Sequence, residues 1–499
     1  VYKRQHFFFF IIRQVLIIIL LFAEKGKIIL YKHFIKPSVF DIDCFNVKII
    51  DIINVYTLTE VLTMDKKPNI IFYFSDQQRW DTVGCYGQEL DVTPTIDSLA
   101  QDGTKFEYAF TCQPVCGPAR ACLQSGVYAT ETGCYRNDIA LPLNIPTIAS
   151  YLNDAGYETA YVGKWHLASD KDHRLMRKAV PEERRGGYKD YWMASDVLEF
   201  TSHGYDGYVY NKENERVDFR GYRTDCINSF ALDYINSTSG EKPFFLFVSH
   251  IEPHHQNDHM RYESPNGTRK NFKNYKVPGD LKGTLGDWRI HYPDYLSCCN
   301  RIDQNLGKVV EALKTKGIFD NTIIIYTSDH GSHFKTRNSE YKRSCHEGCI
   351  RVPLIIHGPG FEGGKVIDDL VSLIDLPATV LGCAGIEKPE HFRGESLKKL
   401  VDGTGEKKRD HVFLQISESQ IGRAIRTKDF KYSVTSKNAD KPFSPVYKED
   451  FLYDLNSDPH ERKNLIKDKK YAKVKAELRK ILLADMKEIG EPEAEIIEK

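Results

Sequence analysis

The chain has 499 residues, and its 69 Lys and Arg residues balance its 69 Asp and Glu residues, so the formal net charge is zero. This balance argues against the basic surface of a nucleic-acid-binding protein, and we expect no nucleic-acid partner. The length suits one large domain with a smaller one. Charged residues at 28% and hydrophobic residues at 41% are typical of a globular protein.

Residues 1–63 differ in composition and in hydrophobic pattern from the rest of the chain. Apolar runs between Phe7 and Ala23 follow two basic residues, as in a secretory signal peptide. The runs are too short and interrupted for a transmembrane helix, so we expect no stable membrane insertion. Met64 stands just before the first strand, which slightly favours a second interpretation, that the leader is not native protein. The protein is cytoplasmic if translation starts at Met64 and exported if residues 1–23 act as a signal peptide.

From Asn69 onward, buried strands alternate with helices. Near-continuous apolar runs predict strands buried on both faces, at Ile70–Phe74, Glu158–Val162, Pro243–His250, Thr322–Thr327 and Val352–His357. Helical patterns occur at Thr93–Ala100, Ile145–Leu152 and Tyr295–Lys316. The alternation predicts an α/β fold with a large, mostly parallel sheet flanked by helices. Residues 167–240 are polar and irregular, and we expect loops and short helices there.

The pattern changes after about residue 395. Short strand candidates appear at Phe413–Ile416, Gly422–Arg426, Lys431–Thr435 and Phe451–Leu455. They predict a small antiparallel sheet, and Tyr471–Ile489 predicts a terminal helix. We therefore expect a leader over 1–63, a catalytic domain over 64–395 and a smaller C-terminal domain over 396–499.

Polar side chains gather at four predicted strand ends, where ligands bind in open α/β sheets. They are Asp76, the pair Lys164 and His166, the group from His250 to His255, and the pair Asp329 and His330. A single strand-terminal Asp is often a turn residue, but four such ends are hard to explain as turns. Two carboxylates suit Ca2+ or Mg2+ better than zinc.

A short motif gives the most specific signal. Cys116–Arg120 reads Cys-Gly-Pro-Ala-Arg, a turn into a helix whose N-terminus favours negative charge. The motif resembles the signature of the type I, formylglycine-dependent sulfatases of the alkaline phosphatase superfamily. In isolation, a pentapeptide of this kind would more often contain a structural cysteine beside a proline turn than a catalytic one. The Gly-Lys-Trp-His run ending at His166, and Lys342 followed by Glu347–Pro353, also match motifs of the family.

The resemblance implies an alkaline-phosphatase-like fold and a modified active site. A maturase would oxidise Cys116 to Cα-formylglycine, whose hydrate is the nucleophile. Asp76, modified Cys116, Asp329 and His330 would hold Ca2+, with Mg2+ the weaker alternative. The sequence departs from the pattern at Gln77, where many relatives have Asp, and at His330, where Asn is commoner. These departures mark a subgroup and leave the number of ligands open.

The resemblance also assigns the catalytic residues Cys116, Arg120, Lys164, His166, His254 and Lys342. The cations would bind a tetrahedral anion through charge-assisted hydrogen bonds. Lys342 and His254 would assist the leaving alcohol, and His166 would accept a proton later. The Pro-His context favours His254 over His250, although both stay candidates.

We expect a sulfated small molecule or saccharide as substrate, most simply a carbohydrate sulfate monoester. Aromatic residues mixed with polar ones in the loops favour a sugar ring, at Tyr191, Trp192, Tyr205, Tyr208, Tyr262 and Tyr275. A phosphonate monoester or phosphodiester hydrolase of the same superfamily is the alternative, because such enzymes can share these motifs. An inactive sugar-binding relative is disfavoured, because no core residue is lost.

Overall fold

The computed structural model describes residues 66–499 except 171, 173, 406–408 and 438–440. The leader expected over 1–63, with its two interpretations, therefore lies outside the described residues. Within the described part, no helix combines the length and apolar character that crossing a bilayer requires.

A large sheet forms the centre of the fold. Its strands are β1 Asn69–Ser75, β2 Thr104–Phe110, β3 Glu158–Lys164, β4 Tyr191–Ser195, β5 Asp206–Tyr210, β6 Arg216–Arg220, β7 Phe244–Ser249, β8 Thr322–Ser328, β9 Arg351–Val352, β10 Leu354–His357 and β11 Lys365–Ser372. The order is β11-β2-β10-β8-β1-β7-β3-β4-β5-β6, with β9 paired to β2. The adjacent strands β8, β1, β7, β3 and β4 are parallel, which confirms the predicted α/β fold with its mostly parallel centre.

Strand β1 shows why the sheet is buried on both faces. Its residues from Ile70 to Phe74 are all inaccessible to solvent. Ile70, Phe72 and Phe74 join one hydrophobic cluster, whereas Ile71 and Tyr73 join another. Because side chains alternate along a strand, an uninterrupted apolar run supplies both faces.

The helices are α1 Pro94–Asp102, α2 Cys116–Ser125, α3 Ala129–Thr132, α4 Ile148–Asp154, α5 Leu198–Thr201, α6 Arg223–Ser237, α7 Trp288–Thr315, α8 Glu347–Ile350, α9 Asp375–Cys383, α10 Leu397–Val401 and α11 Ala472–Glu488. Helix α4 begins after the predicted Ile145 because the Thr147 side chain accepts a hydrogen bond from Ser150 N and caps it. Helix α7 begins before the predicted Tyr295 because Trp288 and Tyr292 are already buried in an aromatic cluster.

The expectation of loops and short helices over residues 167–240 was wrong for much of that segment. It contains three strands, β4 to β6, and the 15-residue helix α6. Strands β5 and β6 lie at the sheet edge, and only one residue of each is buried, so neither contains a continuous apolar run. The buried face of α6 includes Arg223, Thr224 and Asn228, and these polar residues hide its helical period.

A second sheet lies near the C-terminus, with strands β12 His411–Ile416, β13 Ile421–Thr427, β14 Phe430–Ser436, β15 Val446–Asp454 and β16 Glu495–Ile497. Strands β12 to β15 are antiparallel, and β16 pairs in parallel with β15. This confirms the predicted small sheet, with one parallel strand added. The division at residues 395 and 396 stays a prediction.

Candidate active site

Neighbouring strand ends bring the predicted site residues to one edge of the large sheet. Strands β8, β1, β7 and β3 are parallel neighbours, so their carboxyl ends meet there. Asp76 follows β1, Asp329 follows β8, Lys164 ends β3 and His254 lies shortly after β7. Cys116, the first residue of α2, contacts side chains that follow β1, β8 and β3. The structure thus brings together every residue that the sequence assigned to the site, and their individual roles stay predictions.

The Cys116 side chain lies in a strongly cationic environment. Lys342 Nζ donates to its Sγ at 2.8 Å, and His330 Nε2 and Asp76 Oδ1 lie 3.3 and 3.5 Å from that sulfur. Burial alone would raise the pKa of the thiol, but Lys164, Lys342 and His330 hold this pKa well below its usual value. The site therefore stabilises negative charge on the side chain of residue 116.

The backbone around Cys116 is fixed by a residue that no motif marked. Gly117 N donates to Asn137 Oδ1 at 2.9 Å, which satisfies an amide that has no partner within helix α2. Pro118 is tolerated in the same first turn because it needs no hydrogen-bond donor there. The helix ends at Gly126, whose φ of 74° is a left-handed conformation that suits glycine.

Two cations converge on the Asp76 carboxylate. Lys164 Nζ and Arg120 Nη2 donate to its Oδ2 at 2.5 and 3.0 Å. Arg120 is held by further bonds from its Nη1 to Ser249 Oγ and to the backbone oxygen of Lys164. Burial opposes ionisation of Asp76, but Lys164, His254 and Arg120 hold its pKa well below the usual range. Asp76 is therefore an ionised carboxylate in a buried site.

Four potential metal ligands cluster beside these cations. Ligand atoms of Asp76, Cys116, Asp329 and His330 all lie within 4.8 Å of one another. His330 Nε2 lies 3.6 Å from Asp329 Oδ1 and 3.9 Å from Asp76 Oδ1. Ligands at right angles around an ion with Ca2+–oxygen bond lengths are about 3.3–3.7 Å apart. The spacing therefore fits a divalent cation.

Two further observations agree with a cation at this position. His330 Nδ1 lies 2.8 Å from the carbonyl oxygen of Gly331, and donation there leaves Nε2 free to act as a ligand. Asp329 Oδ2 is buried and has no hydrogen-bond partner among the described residues. Burial and the nearby Asp76 raise the pKa of Asp329 to about 6. A bound cation would relieve the repulsion between these carboxylates.

Gln77, the departure noted in the sequence, contributes its backbone to this arrangement. Gln77 N donates to Asp329 Oδ1 at 3.0 Å, from a backbone with φ of 69°. The Gln77 side-chain amide donates to Tyr262 Oη and Ser332 Oγ at 3.2 and 3.3 Å. Gln77 therefore orients the Asp329 carboxylate and links the potential metal ligands to the buried aromatic residue Tyr262.

The two candidate histidines after β7 occupy different places. His254 Nε2 lies 3.2 Å from Lys342 Nζ, beside the cysteine. His250 Nε2 instead lies 2.9 Å from Tyr73 Oη, and burial lowers the pKa of His250 to about 3. The geometry therefore favours His254, whereas His250 is a buried, neutral packing residue.

His166 approaches Cys116 from a strained loop. The residue has a φ of 61°, and its side chain lies close enough to Cys116 to help lower the pKa of the thiol. His166 N donates to the backbone oxygen of Asp196 at 2.7 Å, and the Asp196 carboxylate accepts from Leu167 N and Ala168 N. Asp196, which sequence reasoning missed, thus holds this loop in its left-handed turn.

Residues 68–386 match the family model described as Sulfatase. The chain belongs to the sulfatase family. Residues 339–488 of this sulfatase also match the model described as N-sulphoglucosamine sulphohydrolase, C-terminal.

Similar proteins cover most of the chain. The sulfatase is 32% identical over 459 residues to the uncharacterized sulfatase YidJ of Escherichia coli (strain K12), covering 86% of this chain and 88% of that protein. It is 26% identical over 505 residues to an N-acetylglucosamine-6-O-sulfatase of Bacteroides thetaiotaomicron, covering 84% of this chain and 86% of that protein.

Solved structures share the fold. The yidJ protein of Bacteroides fragilis superposes with a TM-score of 0.75 and 26% identity, covering 85% of this chain and 97% of that one. A protein in complex with its substrate D-glucosamine-2-N,6-O-disulfate gives a TM-score of 0.67 at 24% identity, covering 85% and 98%. A phosphonate monoester hydrolase of Agrobacterium radiobacter superposes with a TM-score of 0.62 at 21% identity, covering 85% of this chain and 96% of that one. The fold alone therefore does not distinguish a sulfate ester from a phosphonate ester as substrate.

The loop aromatics expected to contact a sugar divide into two groups. Trp192 and Tyr262 of the sulfatase are 1% and 2% exposed and pack into hydrophobic clusters. They are part of the core, so the expectation was wrong for them. Tyr205 is 41% exposed, and it remains available to a ligand.

A second group of potential ligands, His203, Asp258 and His259, lies at the surface of the sulfatase. Its two imidazole rings are stacked, with 4.1 Å between centroids and 12° between planes. One ion cannot lie in both of these nearly parallel planes, as imidazole ligands require. His203 pairs with Asp258 and His259 pairs with Glu263, so we interpret the group as surface ion pairs.

Proposed function

We propose that this sulfatase hydrolyses a carbohydrate sulfate monoester, using a formylglycine made from Cys116 and a bound Ca2+. The observation that carries the proposal is the set of buried or nearly buried cations around residue 116, namely Arg120, Lys164 and Lys342. A sulfate ester presents a tetrahedral anion with several exposed oxygens. Such cations bind it through charge-assisted hydrogen bonds and stabilise charge that develops in the transition state.

Asp76, Asp329, His330 and residue 116 would hold the cation. When both groups are present, formylglycine supplies the nucleophilic oxygen and the cation lowers the pKa of that oxygen. Ca2+ is favoured over Mg2+ because several protein ligands converge here, whereas Mg2+ usually keeps several waters. Cys116 is only 1% exposed, so we expect the maturase to act before the chain has folded.

Different residues would carry the two proton transfers of the reaction, with Lys342 or His254 as the acid and His166 as the base. Lys342 and His254 lie side by side near residue 116, where either can donate a proton to the leaving alcohol. His166 lies beside residue 116, where it can accept a proton from that residue when the site is regenerated. General acid or base assistance of this kind contributes about 100- to 10,000-fold to a rate.

A sugar is the proposed leaving group. The name of the similar N-acetylglucosamine-6-O-sulfatase describes action on a sugar sulfate. One neighbour of the same fold was solved with a sulfated glucosamine. The exposed Tyr205 and the polar loops around it agree with a sugar ligand. The particular saccharide and the position of its sulfate stay open.

The test compares kcat/KM on sulfated mono- and oligosaccharides, a small aryl sulfate and an aryl phosphodiester, using protein coexpressed with a maturase. We expect the highest value on a sulfated sugar. A preference for the phosphodiester would support the alternative hydrolase instead. Mass spectrometry of the peptide containing residue 116 should show sulfur replaced by oxygen with the loss of two hydrogens, and activity from wholly unmodified protein would contradict the proposed nucleophile.

A further inference from the structure

Glu199 is a nearly buried carboxylate beside the active site that the proposed chemistry does not yet use. It lies in the short helix α5, and its Oε2 is 3.9 Å from His254 Nδ1. The side chains of Glu199 and His254 are only 9% and 5% exposed. His254 Nδ1 is buried and has no hydrogen-bond partner among the described residues, so Glu199 is the carboxylate placed to receive its proton.

Two contacts fix Glu199 relative to the loop that carries His254. Asn257 N donates to Glu199 Oε1 at 3.3 Å, and Gln256 Nε2 donates to the Glu199 backbone oxygen at 3.2 Å. These contacts hold the carboxylate next to the loop. Catalytic hydrogen bonds are often long without substrate and shorten when it binds, so a 3.9 Å separation is a suitable starting geometry.

We infer that Glu199 is a positioning residue that holds His254 as the general acid of the sulfatase. This inference rests on the proposed function. By accepting Nδ1–H, the carboxylate stabilises the imidazolium and directs Nε2–H toward the space beside Lys342, where Nε2 already points. A carboxylate behind an imidazole fixes its ring orientation and tautomer in the same way in other catalytic sites.

The proton balance of this step is simple. As the nucleophilic oxygen of residue 116 forms its bond to sulfur, the bond between sulfur and the leaving oxygen breaks and its electron pair stays on the leaving oxygen. His254 Nε2 gives its proton to that oxygen to form the alcohol. His254 becomes a neutral imidazole that still donates Nδ1–H to Glu199, and Glu199 stays ionised throughout. His254 regains its proton from water before the next turnover.

This role predicts that the effect of a mutation depends on the leaving group. Poor leaving groups such as sugar alcohols need a proton, whereas a nitrophenolate leaves well without one. We expect Glu199→Gln to lower kcat/KM on a sugar sulfate about 10- to 100-fold. On a nitrophenyl sulfate the same variant should lose less than about 3-fold, because little acid assistance is available to lose.

The matched control is Glu263→Gln, which changes another nearly buried carboxylate of the neighbouring loop. Glu263 accepts hydrogen bonds from Gly204 N and Arg261 and lies within hydrogen-bonding distance of His259, so its partners do not include His254. We expect equal, small changes on both substrates. Circular dichroism and thermal midpoints of both variants check that each is folded.

A double-mutant cycle identifies the partner. In a His254→Ala background, Glu199→Gln should cause no further loss on the sugar sulfate, because the group through which it acts is gone.

Equal losses on both substrates, or additive effects of the two mutations, would overturn this role for Glu199. Wild-type protein that is carrying formylglycine yet hydrolyses no sulfate ester would instead overturn the proposed function. The two failures are therefore distinguishable.

Discussion

The sulfatase contains two buried ionic clusters that use similar side chains in different ways. At the active site, Arg120 and Lys164 pair with Asp76 and Asp329, a third cation, Lys342, has no carboxylate partner among the described residues, and several polar atoms lack hydrogen-bond partners. Arg120 Nε, His254 Nδ1 and Asp329 Oδ2 are buried without a hydrogen-bond partner among the described residues. Such unsatisfied groups cost stability, which indicates a site prepared for a ligand.

The second cluster joins helix α8 to the small sheet and is internally paired. Lys431 Nζ lies 2.8 Å from Glu347 Oε1 and 2.5 Å from Glu461 Oε1, and Arg426 Nε lies 3.2 Å from Glu347. Burial opposes ionisation of Glu347, but Arg426 and Lys431 hold its pKa well below the usual range. Two cations meet two carboxylates, so this cluster needs no ligand. The comparison teaches that charge balance and satisfied hydrogen bonds, rather than burial, separate a structural cluster from a functional one.

The largest expected effect breaks the active-site cluster at its centre. Cys116→Ala removes the precursor of the proposed nucleophile, and we expect kcat on any sulfate ester to fall by more than about 1,000-fold. The variant should still fold, because one small side chain contributes little buried area and takes no part in the second cluster. Steady-state kinetics and urea unfolding measure both, and a folded, active variant would contradict the assignment.

Breaking the second cluster should lower stability and leave catalysis nearly unchanged. Lys431→Met leaves two buried carboxylates without their shared cation, and we expect the free energy of unfolding to fall by about 3–5 kcal/mol. The kcat of the remaining folded protein should stay near the wild-type value. Lys428→Met is the control, because that lysine pairs with Asp368 at the exposed surface, where an ion pair contributes little to stability. Similar losses in the two variants would refute the distinction.

Cation binding should stabilise only the unsatisfied cluster. Ca2+ at 100 times its dissociation constant would add about 2.7 kcal/mol to the free energy of unfolding of protein first treated with EDTA. Asp329→Asn should abolish that gain, and Mg2+ should give a smaller one at equal concentration. Thermal midpoints with and without each ion provide the measurement. A full gain in the Asn variant would place the ion elsewhere.

The smallest expected effect concerns a pH-dependent pair outside both clusters. Burial opposes protonation of His411, but hydrogen bonds with Asp485 and Asp410 raise its pKa above 6.5. A raised histidine pKa contributes stability fully below pH 6.5 and loses it as pH rises through the folded-state pKa. His411→Gln should therefore destabilise the protein by less than about 1 kcal/mol at pH 5.5 and by less still at pH 9. Urea unfolding at both pH values checks the sign, and a larger effect at pH 9 would contradict it.

The sequence by itself determined the parallel core of the sulfatase and most of its site. Runs such as Ile70–Phe74 can be buried on both faces only inside a covered sheet, and strand ends of parallel neighbours must meet at one edge. Asp76, Lys164 and Asp329 were therefore predictable, and the Cys116–Arg120 motif supplied the residue at the start of α2. Short-range pattern and topology were sufficient for these features.

Tertiary structure alone decided which polar side chains support that site. The Pro-His context of the sequence only favoured His254 over His250. The structure separates the two, because His250 N donates to Phe74 O and the His250 side chain is buried against Tyr73. Asn137 and Glu199 come from segments without a motif or a regular period. Their positions depend on how distant segments pack, and no local pattern records a contact between residues far apart in the chain.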